Sequence, residues 1–240
     1  MTAGTSLRSS LCAGADGCRA GWIVVIAGGN PDSRLNLRNL LVVPSFTALL
    51  EATSDCDAVS VDIPIGLSHD GRRSADFEAR RCIGPRRSSV FPAPARLLLA
   101  ASSYAEANAL SRSALGKGLS AQAYGIMAKI REANECMTPE MQSRVVESHP
   151  EESFWALAGD EPLLHPKRKP EGRAERRRLL ETAYGPAVRS LLPPRGAAWD
   201  DLFDACVLAW TASHVAHGTA VHLPPEPEFD SRGLRMEIVY

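Results

Sequence analysis

The chain has 240 residues, 45% hydrophobic and 23% charged, the balance of one globular domain with a substantial core. A formal net charge of −1 excludes a global field that gathers polyanions, so nucleic-acid contact has to rest on local basic patches. Six cysteines without a Cys-x-x-Cys pair or a zinc spacing, no apolar run of ~18 residues to cross a bilayer, and no apolar stretch of signal-peptide type in 1–14 point to a cytoplasmic protein with reduced thiols and no membrane partner.

In chain order, 10–16 and 22–27 are short apolar runs separated by Gly17 to Gly21, the pattern of a hairpin. A third strand is expected over 35–43. Pro44 and Ser45 open a helix over 45–54, with Phe46, Leu49 and Leu50 at helical spacing. The run 57–63 ends at Pro64 and Gly66 and reads as a strand buried on both faces. From 68 to 143 the pattern is helical, with helices expected over 74–82, 103–115 and 120–135 and a loop over 83–96. This block reads as an insertion within a single domain spanning 1–240. A strand over 144–149, a short helix near 151–158 and a second helix led in by the basic segment 165–178 follow. The clearest helix is 199–217, stopped by Gly218, and 234–240 reads as a last strand. Three antiparallel strands followed by β-α-β crossovers describe an α/β fold, a mixed sheet of five or more strands with helices on both faces.

Five carboxylates sit where apolar residues are expected. Asp16 and Asp62 end apolar strands, the place where ligand crevices open in α/β sheets; each could also simply cap a turn. Glu147 follows Val145 and Val146 in a central strand, where a carboxylate needs an arginine or a metal as partner. Asp201 and Asp204 share one helix face with Leu208, Thr211 and Val215, an apolar, sheet-facing stripe. The helix dipole accounts for Asp200 but poorly for the deeper Asp204. If Asp16, Asp62, Glu147 and Asp204 converge, their repulsion calls for cations, and Mg²⁺ or Mn²⁺ suits such oxygen ligands. Two such ions ~3.5–4 Å apart serve phosphodiester displacement.

Basic residues are concentrated. Residues 72–96 carry seven arginines against Asp76 and Glu78, and 165–178 carry seven lysines or arginines against Glu171 and Glu175. Arg81, Arg86, Arg87 and Lys169 are the expected phosphate contacts, and His149 a general acid, a phosphate contact or a hydrogen-bonded structural side chain. Arg176, Arg177 and Arg178 read as a solvated helix face, and Phe91 as an anchor of its loop rather than a base-stacking platform. Gly116 to Ser120 lacks the spacing of a phosphate-binding loop, and His149-Pro150-Glu151 lacks the downstream cysteines of a zinc deaminase.

Five ordered motifs carry a family resemblance: G-A-D-G-C-R-A-G-W at 14–22, V-D-I-P-I-G-L at 61–67, R-R-C-I-G-P-R-R-S-S-V-F-P-A-P-A-R at 80–96, E-S-H-P-E-E-S-F at 147–154 and D-D-L-F-D-A at 200–205. Together they resemble the predicted RNase H-like nuclease family known as domain of unknown function 429. The acidic pair Asp201 and Asp204 with Ala205 also resembles the last acidic motif of Holliday-junction resolvases. The resemblance implies an RNase H-like fold with Asp16, Asp62 and Asp204 as metal-site acids and Asp201 and Glu147 as supporting or alternative ligands. The expected activity is a metal-dependent nuclease acting on nucleic acid. A non-catalytic nucleic-acid or nucleotide-binding protein, and a phosphotransferase of the actin and sugar-kinase type, are the alternatives.

Overall fold

Two nine-residue strands, β1 (Ser10–Cys18) and β2 (Gly21–Gly29), pair antiparallel along their whole length, from Ser10 with Gly29 to Cys18 with Gly21. The turn needs glycine at 21: its φ is +131°, and a Cβ there would lie 2.1 Å from the Val43 carbonyl oxygen. β3 (Asn36–Val43) adds antiparallel to β2. Ser45 then caps α1 (Phe46–Ala52), its hydroxyl accepting from the Ala48 N–H at 3.2 Å. β4 (Ala58–Val61) returns parallel to β1. Between it and the next strand lie α2 (Ser74–Cys82), α3 (Tyr104–Leu115), α4 (Ala121–Gly125) and α5 (Met127–Cys136). β5 (Val145–Glu147) pairs parallel with β4. There follow α6 (Pro150–Leu157), α7 (Pro170–Tyr184), α8 (Trp199–His217) and a hairpin of β6 (His222–Phe229) with β7 (Arg235–Val239). This computed structural model describes residues 9–240, so the expectation about 1–14 lies largely outside the described residues.

The five-stranded sheet has the order β3-β2-β1-β4-β5 and is mixed, antiparallel on the β3 side and parallel on the β5 side. Side chains alternate between its two faces. Trp22, Val24 and Ile26 pack with Ala13, Ala15, Phe46, Leu49 and Ile130, under α1 and α5. Ile23, Val25 and Ala27 pack with Phe154, Leu180 and the α8 residues Leu202, Phe203 and Leu208. Each of the larger of those side chains contributes ~1.5–3 kcal/mol over leaving it exposed, so α8 is held firmly against the sheet. Gly14 lets it come closer still, since a Cβ there would lie 2.1 Å from the Ala209 nitrogen and 2.2 Å from the Ala205 oxygen. Among the described residues no helix is long and apolar enough to cross a membrane. All six cysteines are free thiols.

The expected last strand is present as β7, paired with β6 in a separate two-stranded sheet. β6 itself is hidden in the sequence by Pro224, Pro225 and Pro227, which remove ladder donors and coincide with a break in its register. Three other sequence expectations change. The helix over 120–135 divides at Ile126 into α4 and α5, and the loop over 83–96 winds into a 3₁₀ turn at Gly84–Ser89. Phe91 is not an anchor but 51% exposed, and neighbouring Val90 is buried in its place.

Candidate functional site

The strand register assembles the first half of the site. β1 and β4 pair Ala15 with Val61, and the Asp62 N–H donates to the Ala15 carbonyl at 3.0 Å, so Asp16 and Asp62 stand side by side just beyond that pair. Neighbours in register share a face. That face is the one against α8, because Gly14, two residues before Asp16, abuts Ala205 and Ala209. Asp204 comes to the same place from α8, in the turn that Gly14 admits, and is 1% exposed.

A lysine completes the group. Lys167 Nζ lies 2.5 Å from Asp204 Oδ2, while Asp204 Oδ1 is buried with no hydrogen-bond partner. Burial and the charges of Asp62 and Asp204 push the Asp16 carboxyl well above the usual carboxylate range, with Lys167 pulling the other way. Asp62 is raised to about 6, chiefly by burial, against the opposing pull of His149 and Lys167. The ammonium of Lys167 is held charged, raised first by Asp204 and further by Asp16 and Asp62. Asp201 joins from the first turn of α8: one oxygen accepts from the Ala198 N–H at 2.8 Å, a cap, and its charge reaches Asp16.

Glu147 does not join them. It is paired in register with Val61, one residue short of the Asp62 row, and therefore faces the opposite side of the sheet. There Arg73 grips it with two N–H groups, Nη1 to Oε2 at 2.7 Å and Nη2 to Oε1 at 2.6 Å, and the Ile65 N–H adds a third contact at 2.7 Å. Arg73 is 1% exposed and also binds Asp76 at 2.5 Å. Burial pushes the Glu147 carboxyl up to about 7, whereas the pairing raises Arg73. The fork geometry, with a guanidinium that keeps its proton at any working pH, decides for the ionised pair.

His149 stands one residue past the Asp62 row, since the Ser148 N–H donates to the Val61 carbonyl at 3.0 Å. Burial lowers its imidazole, but close contact with the buried Glu152 carboxylate outweighs this and, with Asp62 and Glu151, lifts it to about 10. Nδ1 lies against Glu152 Oε2 as an ion pair and also faces the Glu151 N–H at 3.3 Å. Glu151 is bound by Arg176 at 2.5 Å and by Arg86 at 3.4 Å.

Among the expected phosphate contacts, Arg86 is thus turned toward Glu151. Arg81 is exposed on α2 beside Glu78 at 3.6 Å, and Arg87 and Lys169 are exposed. Arg176 is not on a solvated face but 1% exposed, lying 5.3 Å from the Phe154 ring centroid, and Arg177 lies 5.3 Å from that of Trp199. Sequence reasoning missed Lys167, Arg73 and Glu152. The i, i+3 spacing of His149 and Glu152 was the one local signal available.

Asp16, Asp62 and Asp204 offer the hard oxygen ligands that Mg²⁺ and Mn²⁺ require, and the unpartnered Asp204 Oδ1 is a ligand atom without a partner. The three acids resist full ionisation together, Asp16 and Asp62 both being raised by burial and by neighbouring acids despite Lys167, and a divalent ion would relieve that repulsion. The donor set fits. Among the described residues no three such side chains already converge as ligands on one point, so binding requires their side chains to close in.

These features define a mixed α/β domain with an acidic cluster buried at the carboxyl ends of its parallel strands. The chain belongs to the family DUF429, described as a protein of unknown function, whose model matches residues 14–229. No curated protein is significantly similar to it.

Proposed function

We propose that this protein is a divalent-metal-dependent phosphodiesterase that hydrolyses nucleic acid, with Mg²⁺ or Mn²⁺ held by Asp16, Asp62 and Asp204. The observation that carries the reading is that β1, the end of β4 and α8 bring three acids near enough to act on one another's charge, with an Asp204 oxygen left without a hydrogen-bond partner in the interior. The sheet order β3-β2-β1-β4-β5 supports it, being the strand order of an RNase H-like domain. A bound divalent ion supplies Lewis-acid polarisation of phosphate oxygen and a water of lowered pKa.

The chain's own residues divide the remaining work. Asp201 adds a further negative charge toward Asp16 from the first turn of α8, which a bound cation would offset, while it caps that helix. His149, kept cationic by Glu152, presents a positive charge beside Asp62 where a substrate phosphate approaches. Arg81, Arg87 and Lys169 are the exposed cations for flanking phosphates, and Phe91 is exposed to stack on a base.

A second reading, a non-catalytic nucleic-acid or nucleotide-binding protein, is favoured by one observation: Lys167 already neutralises part of the cluster without any metal. The two are separated by incubating the chain with labelled single-stranded, duplex, hybrid and branched substrates in Mn²⁺, in EDTA, and with Asp62→Asn. Cleavage that disappears in EDTA and in the variant supports the phosphodiesterase. Retention that survives EDTA, with no cleavage of any substrate, transfers the conclusion to the binding protein.

A further inference from the structure

Lys167 reaches the carboxylates from a segment that is fastened down rather than free. Glu175 of α7 accepts from the Leu164 and His165 N–H groups at 2.8 and 3.0 Å, and Arg176 Nη1 donates to the His165 carbonyl at 3.2 Å. The Pro166 carbonyl accepts from the Lys169 N–H at 3.0 Å, closing a turn around Lys167. Gly172 completes the clamp: a Cβ at that helical position would lie 2.1 Å from the Pro166 oxygen, so only glycine lets the turn seat on α7. Three side-chain contacts and one obligatory close approach thus fix the backbone from which Lys167 projects.

The seated ammonium has one destination. Nζ lies 2.5 Å from Asp204 Oδ2, and its charge also acts on Asp16 and Asp62. It takes one oxygen of the carboxylate whose other oxygen is open. Chemically it performs what a metal ion performs there, neutralising the acids and offering positive charge to a phosphate oxygen. A second divalent ion would have to share Asp204 with this fixed cation and be repelled by it.

We propose that Lys167 is a tethered cation occupying one of two positive positions in the cluster, so that the site takes one divalent ion rather than two. This deepens the metal-binding reading above and depends on it. It also revises the paired-ion arrangement that four carboxylates alone bring to mind.

The test is Mn²⁺ stoichiometry on the whole chain, by calorimetry and by electron paramagnetic resonance of free Mn²⁺, for the native protein, Lys167→Met and Lys167→Arg. Circular dichroism checks that each variant is folded. One ion per chain in the native protein, two in Lys167→Met and one again in Lys167→Arg is the expected result. Two ions in the native protein overturn the tethered-cation proposal and leave the metal reading intact. An unchanged single ion in a folded Lys167→Met overturns it likewise, because Lys167 then excludes nothing. No binding by the native protein or by either variant removes the metal reading itself, and this proposal with it.

Discussion

Replacing Glu147 by glutamine separates an acid that holds the fold from the acids proposed to hold a divalent ion. Glu147 accepts two arginine contacts, at 2.6 and 2.7 Å, and a backbone contact at 2.7 Å. Removing one partner of a buried ion pair costs ~3–5 kcal/mol when the other is left uncompensated. Arg73 is not wholly abandoned, since it keeps Asp76 at 2.5 Å and the Gly66 carbonyl at 3.1 Å. Glutamine also retains one acceptor of nearly the same shape. What is lost is therefore about the difference between charged and neutral contacts, ~2–3 kcal/mol. In a domain of this length that lowers the melting temperature by ~4–12 °C. Urea denaturation gives the stability change, and Mn²⁺ calorimetry on the same variant is expected to match the native protein. Native stability combined with lost Mn²⁺ binding would refute the reasoning and return Glu147 to the metal site.

Asp62→Asn is expected to stabilise the metal-free protein at pH 8. The folded pKa of Asp62, about 6, lies above its ordinary value, so its contribution is fully present below ~4 and is lost as pH rises through about 6. Denaturation curves at pH 4 and pH 8 should therefore nearly coincide for native and variant at the lower pH and diverge in favour of the variant at the higher; a less stable variant at pH 8 contradicts this. His149 behaves in the opposite sense, as a base whose folded pKa of about 10 exceeds its ordinary value: the stability it confers is whole below ~6.5 and fades as pH rises through about 10. Its imidazole resonances should not titrate between pH 5 and 8, and Glu152→Gln should bring the titration down into that window. Gly14→Ala, whose methyl would sit 2.1 Å from the α8 backbone, should cost at least ~1–3 kcal/mol and weaken Mn²⁺ binding by prising Asp204 from Asp16. Native-like stability and affinity in that variant would mean that α8 yields without consequence.

Much of this architecture was legible because it rests on local rules. The helix at Trp199–His217 runs between the residues that its apolar period and Gly218 predict, and the first two strands follow their apolar runs on either side of the glycine turn. Asp16, Asp62 and Asp204 stood out as acids among apolar neighbours, and the fold places them near enough for the charges of Asp62 and Asp204 to act on Asp16, without closing three such side chains onto one point. The failures are of one kind. Whether Glu147 joins Asp62 depends on a single residue of register between β4 and β5, which no local pattern encodes. Its true partner, Arg73, is 74 residues away and was one arginine among seven in its stretch. Lys167 and Lys169 are equally basic on paper. Only the turn seated on Gly172 decides that the first points inward to Asp204 and the second stays exposed.

The cluster is also costly where it stands. Capping a turn needs no burial, yet Asp16 is 9% exposed and Asp204 1%, close enough for each to resist the other's charge. Stability alone would place apolar residues there, as it does along the rest of the α8 face with Ala205, Leu208 and Ala209. Instead two glycines, Gly14 and Gly172, forgo side chains at positions where backbone must approach backbone, one bringing Asp204 to the sheet and the other bringing Lys167 to Asp204. Two separate close approaches that both deliver charge to the same buried point are hard to explain as packing. They are the arrangement that the proposed divalent-ion site would call for.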